Sequence, residues 1–339
     1  MIPHVLGLHA LIALTVALSA WFLSRYTIPR PPVGRFVRAD IAVMVVALVA
    51  MPFAYLHVPV AIVVSVFGVV VFTFTQLTLA PVLGGRVAGF AALVLCGGDV
   101  AAYFAGWSGV VLVLNDVAVV LLVVGAVNLW VQTAISPAQV AALAAALTLY
   151  DTLATGLTSL TLEFVARLDG LPFAPVLATR GAPEPSLVGL GDCLMLTLWP
   201  LVAYRSYGRV AGWTAAGVDA ALLAVVVAAF LGGGGAVPLL TTLGPLIVVQ
   251  WLYWRSRPVP VPSRPEVERA LEFVPEPAHA AAAQGRWVAL ADGGVVGEGP
   301  TPGAARRAAR QSGAETVPVV TFLQPVEQGA RTSHPGPAR

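Results

Sequence analysis

Gly189-Leu190-Gly191-Asp192 opens an apolar stretch that runs to residue 206, and it places a carboxylate at the start of a segment long enough to cross a membrane. A second aspartate, Asp151, follows Leu149-Tyr150 in the middle of an earlier apolar stretch. An aspartate at the centre of a membrane helix costs about 2.5–3.5 kcal/mol of insertion free energy. Because ionisable groups at that depth face a bundle interior or water rather than lipid, the two aspartates predict a functional site inside a helix bundle.

The composition is that of a polytopic membrane protein. Hydrophobic residues make up 58% of the 339 residues and charged residues 11%, whereas an average soluble domain carries about 25% charged residues. The mean hydropathy is +0.85. The net charge of +2 indicates no nucleic-acid partner, and the expected surroundings are a lipid bilayer. All of the basic residues are arginine, which is typical of a GC-rich prokaryotic genome and favours the prokaryotic inner membrane.

About nine spanning helices are predicted from the length of the apolar stretches, since a span needs about 20 such residues. The predicted segments lie near 3–23, 41–57, 59–82, 86–106, 109–132, 137–162, 186–206, 211–231 and 237–254. Residues 56–59 nearly fuse the second and third segments, so a count of eight or ten remains open.

The arginines predict the orientation of the chain. With nine spans, ten of them fall on one side: Arg25, Arg30, Arg35, Arg38, Arg86, Arg205, Arg209, Arg255, Arg257 and Arg264. The other side holds mainly Arg167 and Arg180. Because arginine-rich connections stay in the cytoplasm, the amino terminus is expected outside and the carboxyl-terminal part inside the cell.

The chain changes character after the predicted membrane domain, residues 1–257. Residues 258–284 are rich in Pro and Ala and are predicted to be a linker. Residues 285–326 contain two apolar stretches around a Gly-Gly turn, a helical Ala/Arg stretch and a last apolar stretch, which together predict a small cytoplasmic ββαβ domain. This domain is expected to bind a protein partner or to form a dimer contact. Residues 327–339 are predicted to be a disordered tail.

The chemistry that suits two facing carboxylates is general acid–base hydrolysis. Both cannot be ionised at close range, so the pair shares one proton. The ionised partner can deprotonate a water molecule while the protonated partner donates to the scissile carbonyl. Asp151 and Asp192 therefore predict an aspartic endopeptidase that needs neither a metal ion nor another cofactor.

The motifs and their order resemble the presenilin and signal peptide peptidase family of intramembrane aspartyl proteases. Tyr150-Asp151 and Gly189-Leu190-Gly191-Asp192 match the family's motifs in full, and Pro238-Leu239-Leu240 matches its Pro-Ala-Leu element except at the middle residue. The resemblance extends over residues 3–254. It implies a presenilin-like nine-helix fold, Asp151 and Asp192 as catalytic residues, and an active site lined by Tyr150, Gly189, Leu190, Gly191, Pro238, Leu239 and Leu240. Leu239 is bulkier than alanine and is expected to change the shape of the cleft.

The resemblance also implies a substrate. The predicted orientation is that of the signal peptide peptidase branch, whose substrates are transmembrane helices with a cytoplasmic amino terminus, such as signal-peptide remnants and type II membrane proteins. A helix must unwind before hydrolysis, and the unwound strand must recover its hydrogen bonds, for which strand addition to the enzyme is one route. The connection 163–185 and the glycines at 232–235 are expected to be flexible enough to supply that strand.

Other functions remain open on the sequence alone. A prepilin-peptidase-like protease also uses Gly-x-Gly-Asp, a proton-coupled transporter or ion-leak channel could use the membrane aspartates as a relay, and an inactive receptor could retain the pair. Asp99, Asp116 and Asp219 are further acids in apolar segments, for which helix–helix hydrogen bonding is the favoured role. No histidine has the spacing of a metal ligand.

Overall fold

The chain forms two compact units, Met1–Phe22 with Ile28–Val259, and Leu23–Thr27 with Pro260–Arg339. A computed structural model describes residues 2–28, 42–43, 45–46, 50, 56–133, 135–158, 160–168, 170–179, 186–231, 239–257, 287–291, 294–300, 302–312 and 319–322. The predicted linker, the predicted tail, the glycines at 232–235, Pro238 and most of the predicted segment 41–57 lie outside these residues.

The first unit is a bundle of helices. Its α-helices are α1 (Ile2–Arg25), α2 (Val60–Leu83), α3 (Gly85–Phe104), α4 (Ser108–Gln132), α5 (Pro137–Asp151), α6 (Leu160–Leu168), α7 (Leu190–Tyr207), α8 (Arg209–Leu231) and α9 (Leu239–Ser256). Six helices in the described part of the chain are long and apolar enough to cross a membrane: Gly7–Arg25, Val60–Leu83, Gly85–Phe104, Ser108–Gln132, Pro137–Thr155 and Arg209–Val226. This is the architecture of a polytopic α-helical membrane protein.

Glycines in the left-handed region allow consecutive helices to reverse direction over one to three residues. Gly84 (φ 84°) separates α2 from α3, Gly106 (φ 70°) separates α3 from α4, and Gly208 (φ 93°) separates α7 from α8. An L-residue rarely adopts these dihedrals, so glycine suits each tight turn. The helices that these turns join pack against each other along the bundle.

The sequence-based boundaries are wrong around the sixth and seventh predicted segments. The predicted helix 137–162 ends its α-helical part at Asp151, continues as a π-helix over Thr152–Leu157, and is followed by the separate helix α6. The Thr158 hydroxyl bonds the carbonyls of Leu153 and Ala154 at this break, which satisfies acceptors that the next turn would otherwise use.

The connection between α6 and α7, which was expected to be flexible, contains an antiparallel hairpin. Its strands are β1 (Val176–Thr179) and β2 (Ser186–Gly189), paired from Val176 opposite Gly189 to Thr179 opposite Ser186. The predicted helix 186–206 therefore begins four residues later, at Leu190, because its first four residues belong to β2. The Leu190 N–H continues the ladder by donating to the Pro175 carbonyl at 2.9 Å.

Helices α4 and α7 form the centre of the bundle. Ten side chains of α7 are buried, among them Trp199, whose indole N–H donates to Gln250 Oε1 of α9 at 3.2 Å. Asn128 of α4 donates to the carbonyl of Ser19 in α1. Polar side chains thus join helices inside an apolar environment, where an unpaired donor would be costly.

The second unit contains a three-stranded antiparallel sheet and a helix. Strand β3 (Trp287–Ala291) lies between β4 (Gly294–Gly299) and β5 (Val319–Phe322), and α10 (Pro302–Gln311) packs on the sheet. A small core holds the unit together: Trp287, Ala289, Ala305 and Ala309, with Val296 against it. Gly297 permits α10 to lie close to β4, because a Cβ at position 297 would come within 2.3 Å of the Ala309 nitrogen.

Candidate active site

The Asp151 carboxylate lies at the junction of three helical segments. Asp151 ends α5, and Thr155 of the following π-helix donates its hydroxyl to Asp151 Oδ1 at 2.9 Å. The other oxygen, Oδ2, accepts from the backbone N–H of Thr241 at 3.2 Å and from the Thr241 hydroxyl at 3.4 Å. π-Helical turns inside α-helices are often found at functional sites, and this turn brings Thr155 onto the carboxylate.

Thr241 belongs to the first turn of α9, and this explains why its backbone N–H donates to a side chain outside the helix. The first N–H groups of a helix have no acceptor within the helix, and the helix dipole gives that end a partial positive charge. Asp151 of α5 supplies the missing acceptor from outside the helix. A negative charge on Asp151 is therefore stabilised by the amino-terminal end of α9.

Asp192 lies in the first turn of α7. Gly189 ends β2 and directly precedes the helix, so strand and carboxylate are separated by only two residues. A Cβ added to Gly189 would come within 3.1 Å of Asp192 Oδ2. Glycine at this position keeps the space beside the carboxylate free and lets another backbone approach it.

Helices α5, α7 and α9 pack against one another around the two aspartates. Asp151 and Asp192 interact electrostatically across the gap between α5 and α7. On the α9 side, the position of a Cβ on Gly191 is 3.7 Å from Leu240 Cδ1, so the Gly-Leu-Gly-Asp turn contacts the Pro-Leu-Leu element. Both aspartates are half-buried. Two carboxyl groups that interact in this way are suited to general acid–base chemistry.

The other residues named from the sequence differ in their surroundings. Tyr150 is half-buried beside Asp151, and Leu239 and Leu240 are buried in the first turn of α9. Leu190 packs on a core cluster formed by α2, α4 and the loop before β1: Val71, Ala118, Leu122, Ala126 and Phe173. Pro238 lies outside the described residues.

The three further membrane acids have other surroundings. Asp99 accepts a hydrogen bond from the Phe173 N–H at 3.1 Å, and Asp116 accepts one from the Ala178 N–H at 3.0 Å. Asp219 is buried in α8, and neither of its carboxylate oxygens has a hydrogen-bond partner within the described part of the chain. Asp99 and Asp116 thus each bind a backbone N–H group through one carboxylate oxygen.

Sequence reasoning did not identify Thr155, Thr241 or the hairpin as parts of the site. One sign was present, since Thr241 directly follows the Pro-Leu-Leu element and is a polar side chain at a helix start. Within the described residues, no group of three or more His, Cys, Asp or Glu side chains is placed to hold a metal ion.

In comparisons with known proteins, no family model matches the chain and no curated protein matches it.

Proposed function

We propose that this protein is an intramembrane aspartyl endopeptidase of the presenilin and signal peptide peptidase type. The observation that carries the proposal is the electrostatic interaction between Asp192, in the first turn of α7, and Asp151, which contacts the first turn of α9, inside a bundle of apolar helices. Two interacting, half-buried carboxyl groups suit the general acid–base chemistry of peptide hydrolysis.

The contacts of the two aspartates suggest a division of roles. Asp151 accepts three hydrogen bonds from Thr155 and Thr241, and it is the general base in the proposal. Asp192 holds the shared proton and is the general acid.

The proposed reaction proceeds in two steps. Asp151 takes a proton from a water molecule, the water oxygen attacks the scissile carbonyl carbon, and Asp192 gives its proton to the carbonyl oxygen. The tetrahedral intermediate then collapses: the C–N bond breaks, Asp151 gives its proton to the leaving nitrogen, and Asp192 regains the proton of the hydroxyl that becomes the new carbonyl.

The substrate in this proposal is a transmembrane helix that unwinds next to the β1–β2 hairpin. The sheet has two strands in the described part of the chain, so the outer edge of β2 has no partner strand there. The Leu190 N–H donates to Pro175, so Leu190, Val188 and Ser186 direct their backbone groups to β1, and Leu187 and Gly189 direct theirs to the outer edge. An extended substrate could add to this edge and recover its hydrogen bonds beside Asp192.

We also propose that the chain spans the membrane of a prokaryotic cell nine times, with its carboxyl-terminal part in the cytoplasm. The six apolar helices, the shorter helices α7 and α9, and the segment 41–57 together give nine. In this arrangement the second unit is a cytoplasmic module that binds a protein partner or a second copy of the chain.

The test is cleavage of a transmembrane-helix peptide by the purified protein in lipid. Asp151→Asn and Asp192→Asn keep the size of each side chain, and each is expected to lower the rate by more than about a thousandfold. Asp219→Asn is the matched control, because Asp219 is a buried membrane acid in α8, and it is expected to retain the wild-type rate. A peptide in which a hydroxyl-bearing isostere replaces the cleaved bond should inhibit, since it imitates the tetrahedral intermediate. Equal cleavage by all four proteins would refute the proposal.

A further inference from the structure

Three polar side chains of the membrane helices bind the backbone of one short segment, residues 173–178. Asp99 of α3 accepts from the Phe173 N–H at 3.1 Å. Two adjacent residues of α4 continue the contact: Asn115 donates to the Val176 carbonyl at 3.0 Å, and Asp116 accepts from the Ala178 N–H at 3.0 Å. We call Asp99, Asn115 and Asp116 the hairpin clamp.

The clamp occupies the edge of β1 that β2 does not use. Residues two apart in a strand direct their backbone groups to the same side. Pro175 and Leu177 face β2, as the Leu190 N–H to Pro175 bond and the register show. Val176 and Ala178 therefore face α4, where Asn115 and Asp116 take the place of a third strand.

The segment is also anchored by Phe173 at its start. Phe173 has φ 61°, a left-handed conformation that is uncommon for a bulky residue and must be held by its surroundings. Its ring is buried against α2, where a Cβ on Gly68 would come within 2.9 Å of the ring. Asp99, which is 1% exposed, holds the N–H of the same residue. Side chain and backbone of Phe173 are thus fixed from two different helices.

The strand that the clamp holds, β1, is close to Asp192 through its partner strand β2. Strand β2, paired with the clamped strand, is followed after two residues by Asp192. Helix α4, which carries Asn115 and Asp116, packs against both β1 and α7, the helix that carries Asp192. A displacement of β1 would therefore be transmitted to the outer edge of β2 and to the first turn of α7.

We infer that Asp99, Asn115 and Asp116 are positioning residues, which fix the hairpin so that a substrate strand paired with β2 presents one particular peptide bond to Asp151 and Asp192. This inference rests on the proposed function. In this inference the polar residues of α3 and α4 determine which peptide bond is cleaved, and they take no part in the hydrolysis itself. Misplacement of a reacting group by about 1 Å can cost on the order of a hundredfold in rate, so small hairpin movements matter.

The experiment maps the cleaved bonds of a transmembrane-helix peptide by mass spectrometry. The wild type is expected to cut one dominant bond. Asp116→Ala removes the acceptor for the Ala178 N–H and is expected to spread cleavage over several neighbouring bonds and to lower kcat/KM. Asp116→Asn keeps an oxygen at the same position and is expected to restore the wild-type pattern. A purely structural role would change the amount of folded protein but not the identity of the cleaved bond.

Amide hydrogen exchange of the same proteins supplies the second measurement. Asp116→Ala is expected to speed exchange over residues 173–189 while α9 keeps its wild-type protection. If Asp116→Ala does not fold, Asn115→Ala provides the same test, because it removes the hydrogen bond to the Val176 carbonyl.

The outcomes separate the two proposals. Wild-type cleavage with an unchanged pattern in Asp116→Ala and Asn115→Ala would overturn the role of the clamp and leave the protease proposal intact. A wild type that cuts no peptide would overturn the protease proposal, and with it the inference.

Discussion

At the scale of single residues, the two proposed catalytic aspartates differ in what surrounds them. Asp151 receives three hydrogen bonds, from Thr155 and from the backbone and side chain of Thr241, whereas Asp192 accepts a hydrogen bond from the backbone N–H of Gly189. Two carboxyl groups that share a proton gain from such a difference, because it decides which of them is ionised. Thr241 contributes two of the three donors and is therefore the residue on which the difference depends most.

Replacement of Thr241 by valine tests this dependence. Thr241→Val keeps the branched shape and the backbone N–H but removes the hydroxyl that reaches Asp151 Oδ2. One hydrogen bond to a charged group contributes about 1.5 kcal/mol at the lower end, which corresponds to a roughly tenfold fall in kcat. KM is expected to stay unchanged, because the contact is with the enzyme's own carboxylate. Thr241→Ser, which retains the hydroxyl, should act like the wild type; a Val variant with full kcat would contradict the role given to Thr241.

At the scale of elements, the contact between α5 and α9 holds the site together. Gly244 of α9 lies directly on α5, where a Cβ would come within 1.8 Å of Thr148 Oγ1 and 2.7 Å of the Ala144 carbonyl. Thr148 donates to that carbonyl and also to the carbonyl of Leu240. Close backbone approach at small residues is the usual basis of helix association in membranes.

Alanine at position 244 is expected to separate these two helices. Overpacking of a tight contact typically costs about 1–3 kcal/mol of unfolding free energy. The displaced α9 would also move Thr241 away from Asp151, so activity should fall together with stability. Gly217→Ala is the matched control, since a Cβ on this glycine of α8 meets nothing within 4 Å. Equal stability and activity of the two variants, measured by unfolding in mixed micelles and by peptide cleavage, would show that the α5–α9 contact is not tight.

A second element contact joins α7 to the end of α4. The Arg205 guanidinium donates to the carbonyls of Val131 and Ile135, at and just beyond the carboxyl-terminal end of α4. A cation suits this position, because the last carbonyls of a helix lack partners and carry a partial negative charge.

Removal of this cation is expected to loosen the end of α4. Arg205→Ala should lower the unfolding free energy by about 1.5–3 kcal/mol, the contribution of hydrogen bonds from a charged donor. Arg209→Ala removes an exposed arginine four residues later and should have little effect. If unfolding in mixed micelles shows the same loss for both, the loss at position 205 comes from charge in general and not from the contact with α4.

Sequence patterns predicted some of these elements and not others, for physical reasons. Apolar length predicted α1, α2, α3, α4 and α8 closely, since lipid contact requires apolar residues over a fixed length. The hairpin is held by tertiary hydrogen bonds, such as that of Asn115 to the Val176 carbonyl, which no local pattern contains. Asn115 and Asp116 are adjacent polar residues within an apolar helix, and in the sequence they indicated that this part of the helix binds a polar partner.

At the scale of the whole molecule, the number of membrane spans depends on whether the less apolar helices α7 and α9 also cross the membrane. Helix α7 carries Asp192 and Arg205 and is not among the six helices found by apolar length, yet its residues from Met195 to Ala203 are buried by protein. A helix surrounded by other helices need not resemble a lipid-exposed one, because its polar groups find partners in the bundle. The same argument applies to α9, which holds Thr241 and Gln250 within the bundle.

Nine spans and eight spans predict different locations for the carboxyl-terminal unit, and this difference can be measured in cells. With nine spans and the ten arginines on the cytoplasmic side, a fluorescent protein fused after Arg339 should fluoresce in a bacterial host, whereas an exported phosphatase fused there should be inactive. In the same nine-span arrangement, the chain between β1 and β2 is on the opposite side, so a phosphatase inserted between residues 181 and 185 should be active. The hairpin and the carboxyl-terminal unit are separated by α7, α8 and α9, an odd number of spans, so the two fusion sites must report opposite sides. Phosphatase activity at both sites would mean that one of these three helices does not cross the membrane, and it would refute the nine-span arrangement.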